Sequence, residues 1–361
     1  MMLMNKLVGG IRSRFSLNAS ALLLVYLSLS VILVSCGQSS SPHKFLITGP
    51  TMGTSYHITV VSPPANIDKY ALQIDIDKLL IDINRQMSTY IPDSEISKFN
   101  QSSVDTWKSI STDFFTVLEI SQSISLLTSG RFDITIGPLV DLWGFGAATD
   151  QDQKIPDRDV LERTLDNVGW HNLVLDKQNR AIKKLKPISI NLSAIAKGYG
   201  VDKVAELLTS KNIDNYLVEI GGEVRARGLN KENKPWRLGI EEPLLMQKSV
   251  QRVVELTDQA IATSGDYRNY FEENGTRFSH TLDPTSGRPV KHNIASVSVI
   301  ADNAATADAL ATALNVLGEK AALALSEREN IAAYFILYDN ENTESKYRVV
   351  NSKAFSPFLN N

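Results

Sequence analysis

A hydroxyl, an ammonium group and two glycines follow one another in the segment ISINLSAIAKGYGVD, at positions 188–202. Alternating β-branched residues at its start predict a strand, and the residues after Ser193 predict a helix. Backbone N–H groups at a helix start attract anions, and Ser193, Lys197 and Gly198 would add a hydroxyl, a positive charge and room for close backbone approach. The segment therefore predicts a phosphate or metal site. A capped amphipathic helix packed on a sheet explains the same pattern.

Asp308 and Thr312 lie four residues apart in TADALATAL, a segment whose composition predicts a helix. This spacing places a carboxylate and a hydroxyl on one helix face. Both are hard oxygen donors suited to Mg²⁺, which usually keeps several waters and shares phosphate oxygens of its substrate. The alternative is a threonine bonded back to its own helix and an aspartate on the solvated side. The surrounding alanines favour close packing, where an aspartate needs a partner.

His280 is the best candidate for a general base among the five histidines of the chain. It stands in SHTLDPTSGRP, a dense polar loop of the kind in which ligand contacts concentrate. The alternative is a structural loop braced by Asp283 and Arg288. A hairpin signal, Asn274-Gly275, precedes this loop.

Three small polar turns follow predicted strands. They are the junction before Lys197, the turn Gly221-Gly222-Glu223 and the segment 261–267, which reads IATSGDY. Their similarity predicts that they border one crevice. The common signatures GxGxxG, Walker A, HExxH, CxxC and GxSxG do not occur in the sequence.

The elements that must position these groups are helices and strands without βα alternation. Periodicity predicts helices over 72–87, 112–128, 158–168 and after Ser193, and an Ala/Leu-rich composition predicts another over 304–317. Strands are predicted within 45–61 and over 173–175, 181–184, 188–191, 216–220, 224–229, 236–240, 250–256, 267–271, 277–282, 294–300 and 332–338. This pattern predicts an α+β fold in which mixed sheets and packed helices form two interlocked lobes.

Residues 1–35 have the pattern of a lipoprotein signal peptide. Lys6, Arg12 and Arg14 precede an apolar run at 21–34 that is short for a membrane span. Cys36, the single cysteine, then follows Leu-Val-Ser in the arrangement that receives diacylglycerol. The alternative is a chance cysteine after an uncleaved anchor.

The remaining sequence divides into a flexible tether at 36–44 and a single domain at 45–361. Gly37 after the cysteine favours the outer over the inner membrane. The formal net charge of −3 would become −6 on loss of the signal peptide, which carries three Lys/Arg and no Asp/Glu. A mildly acidic body argues against a nucleic-acid partner. With 43% hydrophobic residues the chain can build a sizeable core.

Eight motifs, taken in order, resemble those of the ApbE family, the FAD:protein FMN transferases. The resemblance covers nearly all of the segment 45–338. The motifs are PTMGTSY (50–56), MSTYIPDSEISKFN (87–100), GRFDITIGPLVDLWGFG (130–146), NLSAIAKGYGVD (191–202), EIGGEVRARG (219–228), TSGDYRNYF (263–271), SHTLDPTSGRPV (279–290) and ADALATAL (307–314).

The resemblance implies a residue set for each ligand. FAD would be lined by Met52, Tyr90, the backbone of Arg131, Phe132, Asp133, Asn191, Lys197 and Leu282. Mg²⁺ would be held by the carbonyl of Ala194 with Asp308 and Thr312. Asn191 stands where the family often has Asp, and Ala311 where some members have a second Asp. Either departure is expected to weaken metal binding or alter acceptor choice without abolishing the reaction.

The resemblance also implies the reaction. A Ser or Thr hydroxyl of an acceptor protein would attack the FMN-side phosphorus of FAD and release AMP, with Mg²⁺ as cofactor and His280 as the base. The acceptors would be flavin-carrying membrane subunits of the sodium-pumping NADH:quinone reductase or of the related Rnf complex, met in the periplasm. The alternatives are a Mg²⁺-dependent FAD pyrophosphatase that yields FMN and AMP, and a non-catalytic periplasmic flavin-binding lipoprotein.

Overall fold

Eight strands form one large antiparallel sheet. The computed structural model describes residues 43–146, 155–243, 249–265, 270–273, 276–339 and 346–359. The strands are β1 (Lys44–Thr51), β2 (Thr54–Val61), β3 (Lys108–Ser109), β4 (Leu173–Asp176), β5 (Ala181–Lys184), β6 (Tyr216–Ile220), β7 (Glu223–Arg227), β8 (Trp236–Glu241), β9 (Val250–Leu256), β10 (Ala260–Gly265), β11 (Tyr270–Glu273), β12 (Thr276–Ser279), β13 (Leu282–Asp283), β14 (Arg288–Pro289), β15 (Ile294–Ala301), β16 (Ala332–Tyr338) and β17 (Tyr347–Asn351). The large sheet has the order β1-β2-β6-β7-β10-β15-β16-β17, and the smaller ones are β3-β5-β4, β8-β9, β11-β12 and β13-β14.

The helices start at polar capping residues in several cases. Within the described ranges they are α1 (Lys69–Met87), α2 (Glu95–Asn100), α3 (Thr112–Leu127), α4 (Gly137–Leu142), α5 (Arg158–Leu165), α6 (Ala196–Ser210), α7 (Ala304–Leu317) and α8 (Glu319–Arg328), with 3₁₀ segments at Trp170–Asn172 and Lys353–Leu359. Asp68 caps α1 by accepting from the Ala71 amide at 2.8 Å, and Asn303 caps α7 by accepting from the Thr306 amide at 2.8 Å. Such caps satisfy amides that have no partner within the helix.

Both faces of the large sheet are covered. On one face α1, α3, α6 and α7 bury an apolar core that includes Ile76, Phe114 and Val204. On the other face the β8-β9 hairpin and the segment Lys353–Leu359 bury a second cluster around Trp236 and Phe355. A third cluster joins α4 and α5 to the β11-β12 hairpin. The predicted α+β fold is confirmed, and every strand pair of the large sheet is antiparallel.

The strand predicted at 188–191 is wrong. This segment makes one isolated parallel bridge, from Ser189 to Ile136, and its other backbone groups bond to loops and to the side chains of Asn100 and Lys184. The Ile190 amide donates to Asn100 Oδ1 at 2.7 Å, and the Asn191 amide donates to the Ile134 carbonyl at 2.7 Å. Ile188 and Ile190 are fully buried. The alternation of Ile188 and Ile190 with polar residues therefore predicted which side chains are buried, but the segment does not pair with a neighbouring strand along its length.

Cys36, the predicted signal peptide and most of the predicted tether lie outside the described residues. His43–Asn361 groups as one compact unit by its internal contacts. Among the helices that the structure describes, none is long and apolar enough to cross a membrane.

Candidate active site

A cleft of about 1100 Å³ runs along the ends of several strands and the start of α6. The three turns predicted to share a crevice all border it, through Ala194, Gly221 and Ser264. All residues proposed for the FAD, metal and proton-transfer roles line it except Met52; they are Tyr90, Arg131, Phe132, Asp133, Asn191, Ala194, Lys197, His280, Leu282, Asp308 and Thr312. The fold thus brings together groups that lie more than 200 positions apart in the sequence.

Two helices meet closely at the floor of the cleft. Gly198 in α6 has no Cβ, and a Cβ there would collide with the carbonyl of Ala304 at the start of α7. The carboxylate of Asp202, also in α6, accepts from the amides of Ala304 and Ala305 at 2.9 Å each. Because these bonds satisfy the free amides of the α7 start, they fix the two helices together. Asp308, one turn into α7, is thereby held beside the start of α6.

Asp308 is buried and is not on a solvated helix face. Its Oδ2 accepts from the Gly198 amide at 3.1 Å. Gly198 is the third residue of α6, so its amide is one of the first-turn N–H groups that have no acceptor within the helix, and Asp308 supplies one. Ala194 precedes the N-cap residue Ile195, so its carbonyl is not an acceptor of the helix. Among the hydrogen bonds of the described residues, the Thr312 hydroxyl does not bond back to its helix, so the structural alternative for this pair does not hold.

The donor set at this point fits Mg²⁺. It combines one carboxylate, one backbone carbonyl and one hydroxyl, all hard oxygen donors, in a cleft large enough for phosphate oxygens and water to complete the shell. Within the described ranges there is no group of three or more His, Cys, Asp or Glu residues that could hold a metal by side chains alone. A magnesium ion here would therefore depend on the substrate for further ligands.

Lys197 and Glu223 form an ion pair inside the cleft. Lys197 Nζ lies 2.7 Å from Glu223 Oε1, and the Glu223 side chain is 4% exposed. Burial alone would lower the pKa of Lys197, but the charges of Asp308 and Glu223 together raise it. Burial and then the charge of Asp308 raise the pKa of Glu223 to about 8, against the opposing effect of Lys197.

The second oxygen of Glu223 has no protein partner. Glu223 Oε2 is buried and makes no hydrogen bond within the described structure. Burial also raises the pKa of Asp308, although Lys197 and the Gly198 amide lower it. Two carboxylates therefore share one lysine in a poorly solvated place, and such a set gains from an added cation or hydrogen-bond donor.

The His280 loop is braced by Arg131 rather than by Arg288. Arg131 Nη1 lies 3.0 Å from both Asp283 oxygens and donates to Thr285 Oγ1 at 3.1 Å. Burial raises the pKa of Asp283. The hydrogen bonds from Thr285 and the charge of Arg131 lower it by more, so this pKa lies below its usual value. His280 lies edge-on to the Phe145 ring, with centroids 6.4 Å apart. The loop therefore has both the predicted brace, with a different arginine, and a histidine facing the cleft.

The remaining predicted residues shape the cleft in different ways. Asp133 is buried and accepts from the Thr135 amide, the Thr135 hydroxyl and the Trp170 amide at 2.7–2.8 Å, so its carboxylate holds the local turn. Asn191 Oδ1 accepts from the Ser193 amide at 2.9 Å. The N-cap residue of α6 is Ile195, which makes no side-chain cap hydrogen bond, and the first-turn amide of Gly198 bonds to Asp308 instead. Tyr90 is 65% exposed at the cleft edge.

Phe132 and Leu282 are buried apolar walls of the cleft. Met52 is the exception to the prediction. It occupies the β1-β2 turn with φ of 49°, and its methyl group lies against Gly200 in α6. In this conformation its side chain packs under the helix and does not line the cleft.

Sequence reasoning missed the chemistry of two residues at the strand ends. Glu223 was noted only as part of a turn, although a carboxylate directly after Gly-Gly at a strand start was a usable signal. His57 was not singled out. It lies opposite Glu219 in the β2-β6 ladder, and its Nδ1 lies 2.7 Å from Glu219 Oε2. Only strand pairing could place this pair at the cleft.

This fold, with a lysine and several hard oxygen donors gathered in one cleft, is that of the flavin transferases. The structure matches the flavin transferase ApbE from Vibrio cholerae with a TM-score of 0.81 at 41% identity, over 88% of this chain and all of that one. It matches the apo form of the Pseudomonas stutzeri flavinyl transferase ApbE with a TM-score of 0.81 at 34% identity, over 90% and 99% of the two chains.

Sequence comparison leads to the same family. The ApbE family model matches residues 52–335. The FAD:protein FMN transferase of Vibrio cholerae is 42% identical over 92% of this chain and 98% of its own length, and that of Haemophilus influenzae is 41% identical over 92% and 96%. The chain belongs to the ApbE family. The prediction of an enzyme of the FAD:protein FMN transferase type is confirmed.

Proposed function

We propose that this protein transfers the FMN moiety of FAD to a Ser or Thr hydroxyl of an acceptor protein in a Mg²⁺-dependent reaction that releases AMP. The observation that carries the proposal is the junction of α6 and α7, where Lys197 and the Asp308–Thr312 pair meet in one cleft. A lysine and a set of hard oxygen donors suit a pyrophosphate better than any other part of FAD.

The residues of this chain have separable tasks in that reaction. Lys197 faces the negative charge of the pyrophosphate, while Phe132 and Leu282 offer apolar surface to a flavin or adenine ring. His280 takes the proton of the acceptor hydroxyl as the new P–O bond forms, and the bond to the AMP phosphate breaks with its bridging oxygen leaving on AMP. Magnesium, held by Asp308, Thr312 and the Ala194 carbonyl, would neutralise phosphate charge.

Two other outcomes are chemically close. If water replaced the acceptor hydroxyl, the products would be FMN and AMP, as for a pyrophosphatase. If no bond broke, the protein would be a flavin-binding lipoprotein. Purified protein mixed with FAD, Mg²⁺ and a candidate acceptor separates the three cases. Transfer leaves flavin fluorescence on the acceptor in a denaturing gel together with AMP; hydrolysis gives AMP without labelled acceptor, and simple binding gives neither.

The proposed acceptors are flavin-carrying subunits of the sodium-pumping NADH:quinone reductase or Rnf type. The proposed location is the periplasm, with a lipid on Cys36 and the outer membrane favoured by Gly37. Two acyl chains give firm attachment, whereas one is marginal. Cys36→Ser should accumulate as unprocessed precursor. Normal processing and membrane retention of that variant would rule out the lipid anchor, while the transfer assay would still report on the chemistry.

A further inference from the structure

Helix α1 carries a narrow apolar stripe that the core does not use. Its buried face contributes Leu72, Ile76 and Ile83 to the core. Outside that face, Tyr70 is 73% exposed, and Ile74 and Ile81 are each 52% exposed. At 100° per residue these three side chains fall within about 40° of the helix circumference. Large apolar side chains scattered on a surface are ordinary, but these three lie on one line, with Ile74 and Ile81 about 10 Å apart along the helix axis.

Basic residues border one side of the stripe. Lys78 and Arg85 are exposed, and around the helix circumference they lie next to Ile74 on the side away from Tyr70. On the other side Asp77 is turned inward, because its Oδ1 accepts from the Tyr56 hydroxyl at 2.6 Å. An apolar strip with cations along one border suits a helix that lies on an anionic bilayer surface, and the exposed Asp82 lies beyond those cations, farther from the stripe.

The position of α1 relates the stripe to the point where the tether enters. Gln73 Nε2 donates to the Thr48 carbonyl at 3.1 Å, and Asn84 Nδ2 donates to Thr51 Oγ1 at 3.3 Å. The helix therefore runs beside β1 in the same direction. Its first turn, with Tyr70, lies nearest the start of β1, and its last turn leads to Tyr90 at the cleft.

We propose that the stripe of Tyr70, Ile74 and Ile81 rests on the anionic phospholipid surface to which the chain is anchored, an inference that depends on the lipid anchor at Cys36 proposed above. Eight peptide bonds separate Cys36 from Lys44, so the chain between them spans at most about 28 Å. A bilayer held that close presents its surface at high effective concentration. Three partly inserted side chains then suffice for contact, although they would be too few to recruit a free protein.

The orientation has a functional consequence. The stripe starts at the tether end of α1, and the cleft lies beyond the other end of the same helix. Contact along the stripe would hold the cleft at a fixed height and angle above the bilayer. An acceptor segment that emerges from a membrane protein would then meet the cleft without a search over all orientations.

The test uses the single cysteine of the chain. In the full-length lipidated protein the Cys36 thiol is blocked, so Ile74→Cys creates one reactive thiol for an environment-sensitive fluorophore. The matched control is Val349→Cys, because Val349 is 37% exposed on β17, at the opposite edge of the sheet from β1. Seven strand spacings place it roughly 33 Å away. Both labelled proteins are reconstituted in vesicles of phosphatidylethanolamine and phosphatidylglycerol that contain a lipid-attached quencher.

The proposal expects at least a twofold loss of fluorescence at position 74 and little change at position 349. Unchanged transfer to a soluble acceptor peptide would verify that both variants fold. Equal quenching at the two positions, in protein that floats with the vesicles, would contradict membrane contact through the stripe but not the lipid anchor. If the fluorescence at position 74 changed with the amount of protein per vesicle and not with the amount of quencher, the stripe would contact a second copy of the protein and not the bilayer. If the wild-type protein did not float with the vesicles, both the lipid anchor and the membrane contact of the stripe would be contradicted.

Discussion

Lys197 Nζ and Glu223 Oε1 lie 2.7 Å apart, and they join the start of α6 to the first residue of β7. The charge of Asp308 raises the pKa of both groups, so one lysine and two carboxyl groups share a poorly solvated place. The unpartnered Glu223 Oε2 marks this as a site that the protein alone does not complete.

Replacement of Asp308 should reduce activity far more than replacement of Thr312. Asp308→Asn keeps an oxygen that can accept from the Gly198 amide but removes the only charged metal donor proposed, so we expect at least about a 100-fold loss of FMN transfer. Thr312→Val should lose less, and extra Mg²⁺ should partly restore it. Transfer rates over a magnesium titration would measure both. A normal rate and an unchanged Mg²⁺ dependence in Asp308→Asn would place the metal elsewhere.

His280→Ala should lower turnover by about 10²–10⁴-fold with little change in FAD affinity, because a base acts in the transition state. Single-turnover rates and FAD titrations would separate the two effects. His171→Ala is a suitable control, since His171 is exposed and does not line the cleft. Parallel losses of FAD binding and turnover in His280→Ala would make His280 a positioning residue.

Glu223→Gln should change how stability depends on pH. The folded protein keeps the Glu223 proton up to a pKa of about 8, whereas an unfolded chain loses it near the ordinary glutamate pKa of 4.5. Between these values the folded state binds more protons, so the contribution of Glu223 to stability falls as pH rises through this window. The variant cannot ionise and should gain stability relative to wild type toward the alkaline end.

Thermal unfolding from pH 5 to pH 9, without added metal, would measure that difference. Glu232→Gln provides the control, because the Glu232 side chain is 63% exposed and pairs only at the surface with Lys231. A constant difference between Glu223→Gln and wild type across the range would contradict the raised pKa.

Arg131 and Asp283 should show energetic coupling that Arg288 lacks. The Arg131 side chain is 38% exposed, so the pair is expected to contribute only about 1 kcal/mol to the free energy of unfolding. A double-mutant cycle of Arg131→Ala and Asp283→Ala, followed by chemical denaturation, would measure it. Arg288→Ala should be nearly neutral alone and additive with Asp283→Ala. Coupling of Asp283 to Arg288 instead would restore the brace that the sequence suggested.

The local sequence determined much of the secondary structure. The Ala/Leu-rich composition of 304–317 predicted α7 at its observed bounds, and short runs between turn residues predicted β5, β6, β9 and β16 at theirs. Helix-favouring composition and turn residues act locally, so these predictions needed no distant contacts. Short α2 and α4 were missed because six residues hold too little of a period, and the 188–191 segment was misassigned because strand pairing needs a partner that local sequence does not reveal.

The family motifs also predicted most of the residues that line the cleft, because the reactive and binding residues of a family lie in short segments that keep their order along the chain. Only the tertiary structure decided which oxygens and charges meet. It paired Arg131 with Asp283 across 152 positions, gave the Gly198 amide to Asp308 across 110 positions, and placed Glu223 against Lys197. It also turned Met52 away from the cleft. The physical reason is that a pKa, a hydrogen bond between two helices or an ion pair depends on burial and distance. Both are set by how helices and strands from remote parts of the chain pack together.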